Sequence, residues 1–102
     1  MRTIIIVKNN RQVTVSNNFI GYESEKNVGK IELFVPDDHR DLEWYMVFNE
    51  TPIPFVDSLI SIDDRLTSER GVFTCRILGS DGSRVSTSEH VFISDEFDLE
   101  VR

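Results

Sequence analysis

Apolar and polar positions alternate along most of this chain. Over residues 42–48, Leu42, Trp44, Met46 and Phe48 fall in one phase, while Glu43, Tyr45 and Val47 fall in the other. That period of two is what a half-buried β-strand requires. The same period places Ile31, Leu33 and Val35 opposite Lys30 and Glu32 over 28–35, and Phe73, Cys75 and Ile77 opposite Thr74 and Arg76. Val13 and Val15 share a face in 12–15, residues 3–8 are β-branched and apolar, and Phe19 and Ile20 precede Gly21. Val56, Ile60 and Ile62 predict a further strand over 55–62.

Turn chemistry separates these runs. Asn9–Asn10, Asn17–Asn18 and the stretch Pro36–Asp41 break the alternation, and residues 22–27 read as an exposed loop. Residues 49–54, with two prolines, predict a loop or an edge segment. Only 62–71 changes period: Asp63 or Asp64 caps one helical turn, Leu66 anchors it, and Gly71 offers the exit. Residues 72–94 read as a hairpin closed by Gly79-Ser80-Asp81-Gly82. In its second arm, Glu89 and the run His90–Ile93 signal a bulge or register change.

Seven or eight short strands at this spacing predict an all-β fold, an antiparallel β-sandwich of immunoglobulin-like type with one short helical turn near 63–70. The sandwich is expected over residues 1–94, and 95–102 is expected to be an acidic C-terminal edge strand or tail. Leu33, Trp44, Met46, Ile60, Phe73, Cys75 and Ile77 form its predicted core. At 102 residues there is room for one domain. Such a domain buries roughly 65% of its unfolded surface, so a single core serves most strands.

Composition narrows the partners. A formal charge of −7 argues against a nucleic-acid backbone, which needs clustered Lys and Arg, and against an anionic membrane surface. The apolar run Ile4–Val7 is too short for a secretion signal, and no stretch approaches the ~18 apolar residues of a membrane span. A soluble protein made in the cytoplasm is the expectation. The single cysteine, Cys75, cannot form an intrachain disulfide, which fits a reducing compartment.

No catalytic or cofactor-binding constellation stands out. The cluster Asp37, Asp38, His39, Asp41 has carboxylates, but it lacks a second His or Cys and carries Arg40 inside it, so it reads as a solvated turn. Cys75 alternates with Phe73 and Ile77 and reads as a core thiol. His90 falls in a strand, and no serine sits in a nucleophile elbow. The expectation is therefore no enzyme, no metal and no cofactor. Tyr22 and Tyr45 are candidates for a binding platform if they share a surface.

The order of these parts resembles a known family. A short strand leads to GYESEKNVGKIELFV and the aromatic strand LEWYMVF; ISIDDRLTSERG, the strand VFTCRIL, a DG turn and a last strand ending VFIS follow. Over residues 1–94 this is similar to the N-terminal immunoglobulin-like module of baseplate and tail-fibre proteins in phages of Gram-positive bacteria. The resemblance implies a non-enzymatic virion component, assembled in the bacterial host cytoplasm, that docks onto other tail or baseplate subunits. It brings no catalytic residues to carry over. The chain departs from the pattern in ending soon after the module.

Docking through a sheet edge or an exposed loop is the expectation, with the strand Ile4, Ile5, Ile6, Val7 as an unguarded edge covered by a partner or by a second copy in a homo-oligomer. The strand over 55–62 is the other edge, and the acids from Asp95 to Glu100 would steer the contact. The alternative expectation is a carbohydrate- or receptor-binding sandwich using Tyr22 or Tyr45.

Overall fold

A computed structural model describes residues 2–24, 29–81 and 92–102. The strands are Arg2–Val7 (β1), Val13–Val15 (β2), Phe19–Gly21 (β3), Gly29–Phe34 (β4) and Glu43–Phe48 (β5). They continue with Thr51–Pro54 (β6), Leu59–Ile62 (β7), Gly71–Ser80 (β8), Phe92–Ile93 (β9) and Phe97–Val101 (β10). One helical turn, Asp64–Thr67 (α1), and a 3-10 turn over Asp37–His39 complete the described elements.

These strands form a two-sheet, all-β sandwich. One sheet runs β2-β1-β4-β7 and the other β3-β10-β8-β5-β6, with β9 also on β8. Thr3, Ile5, Val7, Ile31, Leu33, Ile60 and Ile62 point inward from the first sheet. They meet Trp44, Met46, Phe48, Cys75, Ile77, Leu99 and Val101 from the second in one apolar cluster. Of the expected core residues only Phe73 is half-buried, stacked against Phe48 at 5.0 Å.

Most pairings are antiparallel, but β1 lies parallel to β4 and β10 parallel to β3. The first of these corrects the edge assignment. The strand containing Ile4–Val7 is flanked by β2 and β4, so it is an interior strand. The C-terminal segment is corrected in the same sense: Phe97–Val101 lies between β3 and β8, neither edge nor tail, with Leu99 fully buried. Four hydrogen bonds tie this end to β3 and its flanks: Asn18 Nδ2 to the Asp98 carbonyl (2.6 Å), the Glu100 amide to the Asn18 carbonyl (2.7 Å), the Arg102 amide to the Gly21 carbonyl (3.0 Å) and the Glu23 amide to the Arg102 carbonyl (2.7 Å).

Two tight turns carry unusual residues. Asn49 and Glu50 join β5 to β6 with φ of 48° and 68°, and Asp57 and Ser58 have φ of 53° and 64°. Two left-handed residues in a two-residue loop make the type I′ geometry that matches strand twist. The second turn shortens the strand expected over 55–62 to Leu59–Ile62, because the chain spends 55–58 crossing between sheets. Within 49–54, Thr51–Pro54 forms an edge strand, β6.

Around 63–71 the Asp63 carboxylate accepts the Arg65 amide (3.0 Å) and so caps α1. Leu66 and Thr67 are buried beneath the turn. The helix ends at Ser68; Gly71, at φ 146°, instead opens β8. The second arm of the last hairpin is described only from Phe92. The turn beyond Asp81, Glu89 and His90 lie outside the described residues, as do 25–28 of the loop after Tyr22.

Two substitutions test this packing. Gly79 lies opposite Trp44, and a Cβ there would sit 2.9 Å from Leu42 Cδ1 and 3.0 Å from the indole ring. Gly79→Ala is expected to cost about 1–3 kcal/mol by overpacking, read as a lowered Tm; an unchanged Tm contradicts the contact. Thr3 is fully buried, and its Oγ1 has no hydrogen-bond partner among the described residues. Thr3→Val removes that unpaired hydroxyl at nearly constant volume and is expected to raise stability by about 1 kcal/mol in urea titration.

Candidate functional site: two outer faces and a groove

The inward phase of each strand fills the core, so the outward phase decides what the protein presents. On the β2-β1-β4-β7 sheet, register brings Ile6 beside Phe34, and they are 42% and 48% exposed. One row along stand Ile4, Glu32 and Leu59; the next holds Arg2, Lys30 and Ser61. Arg2 pairs with Glu32 at 3.0 Å. An apolar strip therefore crosses the outside of β1 and β4, bordered by charge.

This placement divides the four candidate residues of β1. Ile4 and Ile6 look outward, whereas Ile5 and Val7 are buried in the core and are unavailable to a partner. The period of two leaves only alternate residues of an interior strand for contact.

The outside of the other sheet carries a second apolar row. Tyr45 pairs with Pro54 on one side and Leu78 on the other, and Leu78 pairs with Ile93. Beside that row lie Pro52, Val47 and Arg76, with Arg76 held by Glu96 at 3.1 Å. Acidic side chains close both ends: Glu43 opposite Ser80, and Asp98 and Glu100 opposite Thr74 and Val72. Tyr45 donates to Glu43 Oε2 at 3.2 Å, and that hydrogen bond, with burial and the carboxylate charge, raises the phenol pKa.

The two candidate tyrosines do not share a platform. Tyr22, 56% exposed, follows β3 and packs edge-to-face on Phe19 at 5.1 Å, with the Arg102 guanidinium over the same ring. β3 and β5 are separated by β10 and β8, about 14 Å across the sheet.

A groove of about 850 Å³ opens where residues 55–58 cross between the sheets. Phe34, Val35, Tyr45 and Phe55 line it together with Glu43, Arg40 and Asp57. Trp44 forms part of its wall; its Nε1 donates to the His39 carbonyl (3.2 Å), and its ring meets Phe92 edge-on at 5.6 Å.

Asp37, Asp38 and His39 form the 3-10 turn, where Arg40 pairs with Asp37 at 2.9 Å. Among the described residues no group of three or more His, Cys, Asp or Glu is arranged to hold a metal ion. No described helix is long and apolar enough to cross a membrane. His39 packs its ring against Phe92 at 5.3 Å. Cys75 is buried and donates to the Phe73 carbonyl at 3.5 Å.

Comparison with known proteins finds no matching family model and no matching curated sequence. What the chain does has to be reasoned from its own surfaces.

Burial, reinforced by the Asp98 charge, pushes the Cys75 thiol up to about 12. A thiol raised above its ordinary value in the folded state contributes stability in full below that value and loses it as pH climbs toward 12. Native protein is expected to resist a thiol reagent at pH 8 and to react on unfolding. Its Tm is expected to fall above pH 9 more steeply than that of Cys75→Val. Rapid labelling of native protein contradicts the burial.

Proposed function

We propose that the chain is a non-enzymatic docking module of a phage tail or baseplate, working through the outer faces of its sandwich in the assembled virion. The observation that carries this reading is the exposed Ile6–Phe34 pair on the two inner strands of a four-stranded sheet. Large apolar side chains contiguous on a regular face are characteristic of protein contact surfaces.

Geometry favours faces over edges. Of the outermost strands, β2 and β3 have three residues each, and β6 and β7 have four. β6 also carries Pro52 and Pro54, which donate nothing to a ladder. Short and proline-bearing edges are the usual protection against strand addition. The sheet-edge docking expected from the sequence is accordingly replaced by face docking, with other tail or baseplate proteins as partners.

A carbohydrate- or receptor-binding role is the second reading. It is favoured by the groove, which sets Tyr45 and Phe55 beside Glu43, Arg40 and Asp57, a combination of ring and polar groups suited to a sugar.

Binding to the purified products of neighbouring genes tests the main reading. Ile6→Asp with Phe34→Asp is expected to weaken that binding at least about tenfold while leaving the Tm near wild type. Unchanged affinity in the variant, or turnover of an ester, peptide, phosphate or glycoside substrate, overturns it. Saturable glycan binding lost in Tyr45→Ala supports the second reading.

A further inference from the structure

We propose that the protein stacks head to tail on itself. The outer face of the β2-β1-β4-β7 sheet of one copy would seat on the outer face of the β10-β8-β5 layer of the next. The inference rests on the docking reading and names a second copy of this chain as the partner.

Charge singles out this pairing. Among the described residues, Lys8 and Lys30 have no carboxylate partner, whereas Arg2 is neutralised by Glu32. Lys30 stands beside Arg2 on the outer face, and exposed Lys8 follows β1 in the outward phase of Ile4 and Ile6. The first face thus carries two uncompensated cations on a chain whose net charge is −7. On the opposite face Arg76 is paired with Glu96, and Glu100 with Arg102. Glu43 and Asp98 have no cationic partner among the described residues.

The spacing matches. Lys30 is in register with Arg2, so the two lysines are separated along β1 by the step from residue 2 to residue 8. Asp98 is in register with Thr74 and Glu43 with Ser80, so the two carboxylates are separated along β8 by the step from 74 to 80. Six residues of strand span about 20 Å in each case. Between the lysines lie Ile4, Ile6 and Phe34, with Glu32 held by Arg2; between the carboxylates lie Val47, Leu78 and Tyr45, with Arg76 held by Glu96. On each face the charges left unpaired among the described residues are of one sign and flank apolar side chains, and the two faces carry opposite signs.

The available area sets the strength of the contact. Principal dimensions are 35 × 25 × 22 Å, and the ten residues of β8 run about 33 Å. The β2-β1-β4-β7 face is smaller: its longest strands, six residues each, run about 20 Å and four strands span about 19 Å, so the contact falls below the ~800 Å² per partner of a standard interface and belongs to the weak, reversible class. The two surfaces differ, so the contact is heterologous and propagates into a ring or a filament.

Sedimentation velocity of the full chain across a concentration series tests this. Wild type is expected to self-associate. Lys8→Glu with Lys30→Glu, and separately Glu43→Lys with Asp98→Lys, are each expected to weaken association about tenfold, with Tm near wild type. An equimolar mixture of the two variants restores opposite signs at every contact and is expected to recover association. A general charge effect gives a different result: the second variant lowers the net charge from −7 to −3, and would then associate more strongly than wild type. That result, a strictly monomeric wild type, or a mixture that fails to recover overturns the proposal. A monomer that still binds a neighbouring gene product through Ile6 and Phe34 overturns stacking alone and leaves the docking reading standing.

Discussion

The ladder of β8 is the constraint on which the larger sheet depends. Its ten residues take β5 along one side over Cys75–Ser80 and, on the other, β10 over Gly71–Cys75 and β9 at Leu78–Gly79. The side occupied by β9 and β10 would break at Ile77, where the chain passes from one to the other. Ser94 bridges that gap: its amide donates to the Ile77 carbonyl (2.9 Å), and its Oγ accepts the Ile77 amide (2.8 Å). Buried backbone groups must be paired, so one serine keeps a ten-residue strand continuous through the core. Glycine at 79 serves the same strand by clearing space for the Trp44 ring.

That central strand also organises the surface. Because β8 is long enough to carry several partners, its outward residues line up with those of β5 and β10 and produce one broad face rather than scattered side chains. The smaller sheet does the same through the parallel pairing of β1 with β4, which sets Ile6 beside Phe34. Short outer strands and the prolines of β6 leave little backbone for strand addition. The molecule thus combines blunted edges with two partly apolar faces that are bordered by unpaired charges of opposite sign.

Alternation along the chain dictates much of the architecture. The strands over 28–35, 42–48 and 72–78, the two-sheet all-β sandwich, a cap at Asp63 or Asp64 (Asp63 in the fold) and the burial of Trp44, Met46, Cys75 and Ile77 follow from the period of two and from one local change of period. These features are set by contacts within a strand or a single turn, which a linear pattern contains. The left-handed turns at Asn49–Glu50 and Asp57–Ser58 were not legible, since neither carries the glycine that ordinarily announces them.

Lateral order was decided only in three dimensions. A period of two says which residues of Ile4–Val7 share a face, but not whether the strand lies at an edge or between β2 and β4. Composition marked Asp95–Glu100 as acidic and terminal, yet Leu99 and Val101 insert between β3 and β8 because the core lacked a strand there. The candidate surfaces depend on the same long-range choice. Ile6 meets Phe34, and Tyr45 meets Leu78, through register between segments distant in the chain. Local sequence determined which side of each strand would be wet; only tertiary pairing decided which wet sides would lie together.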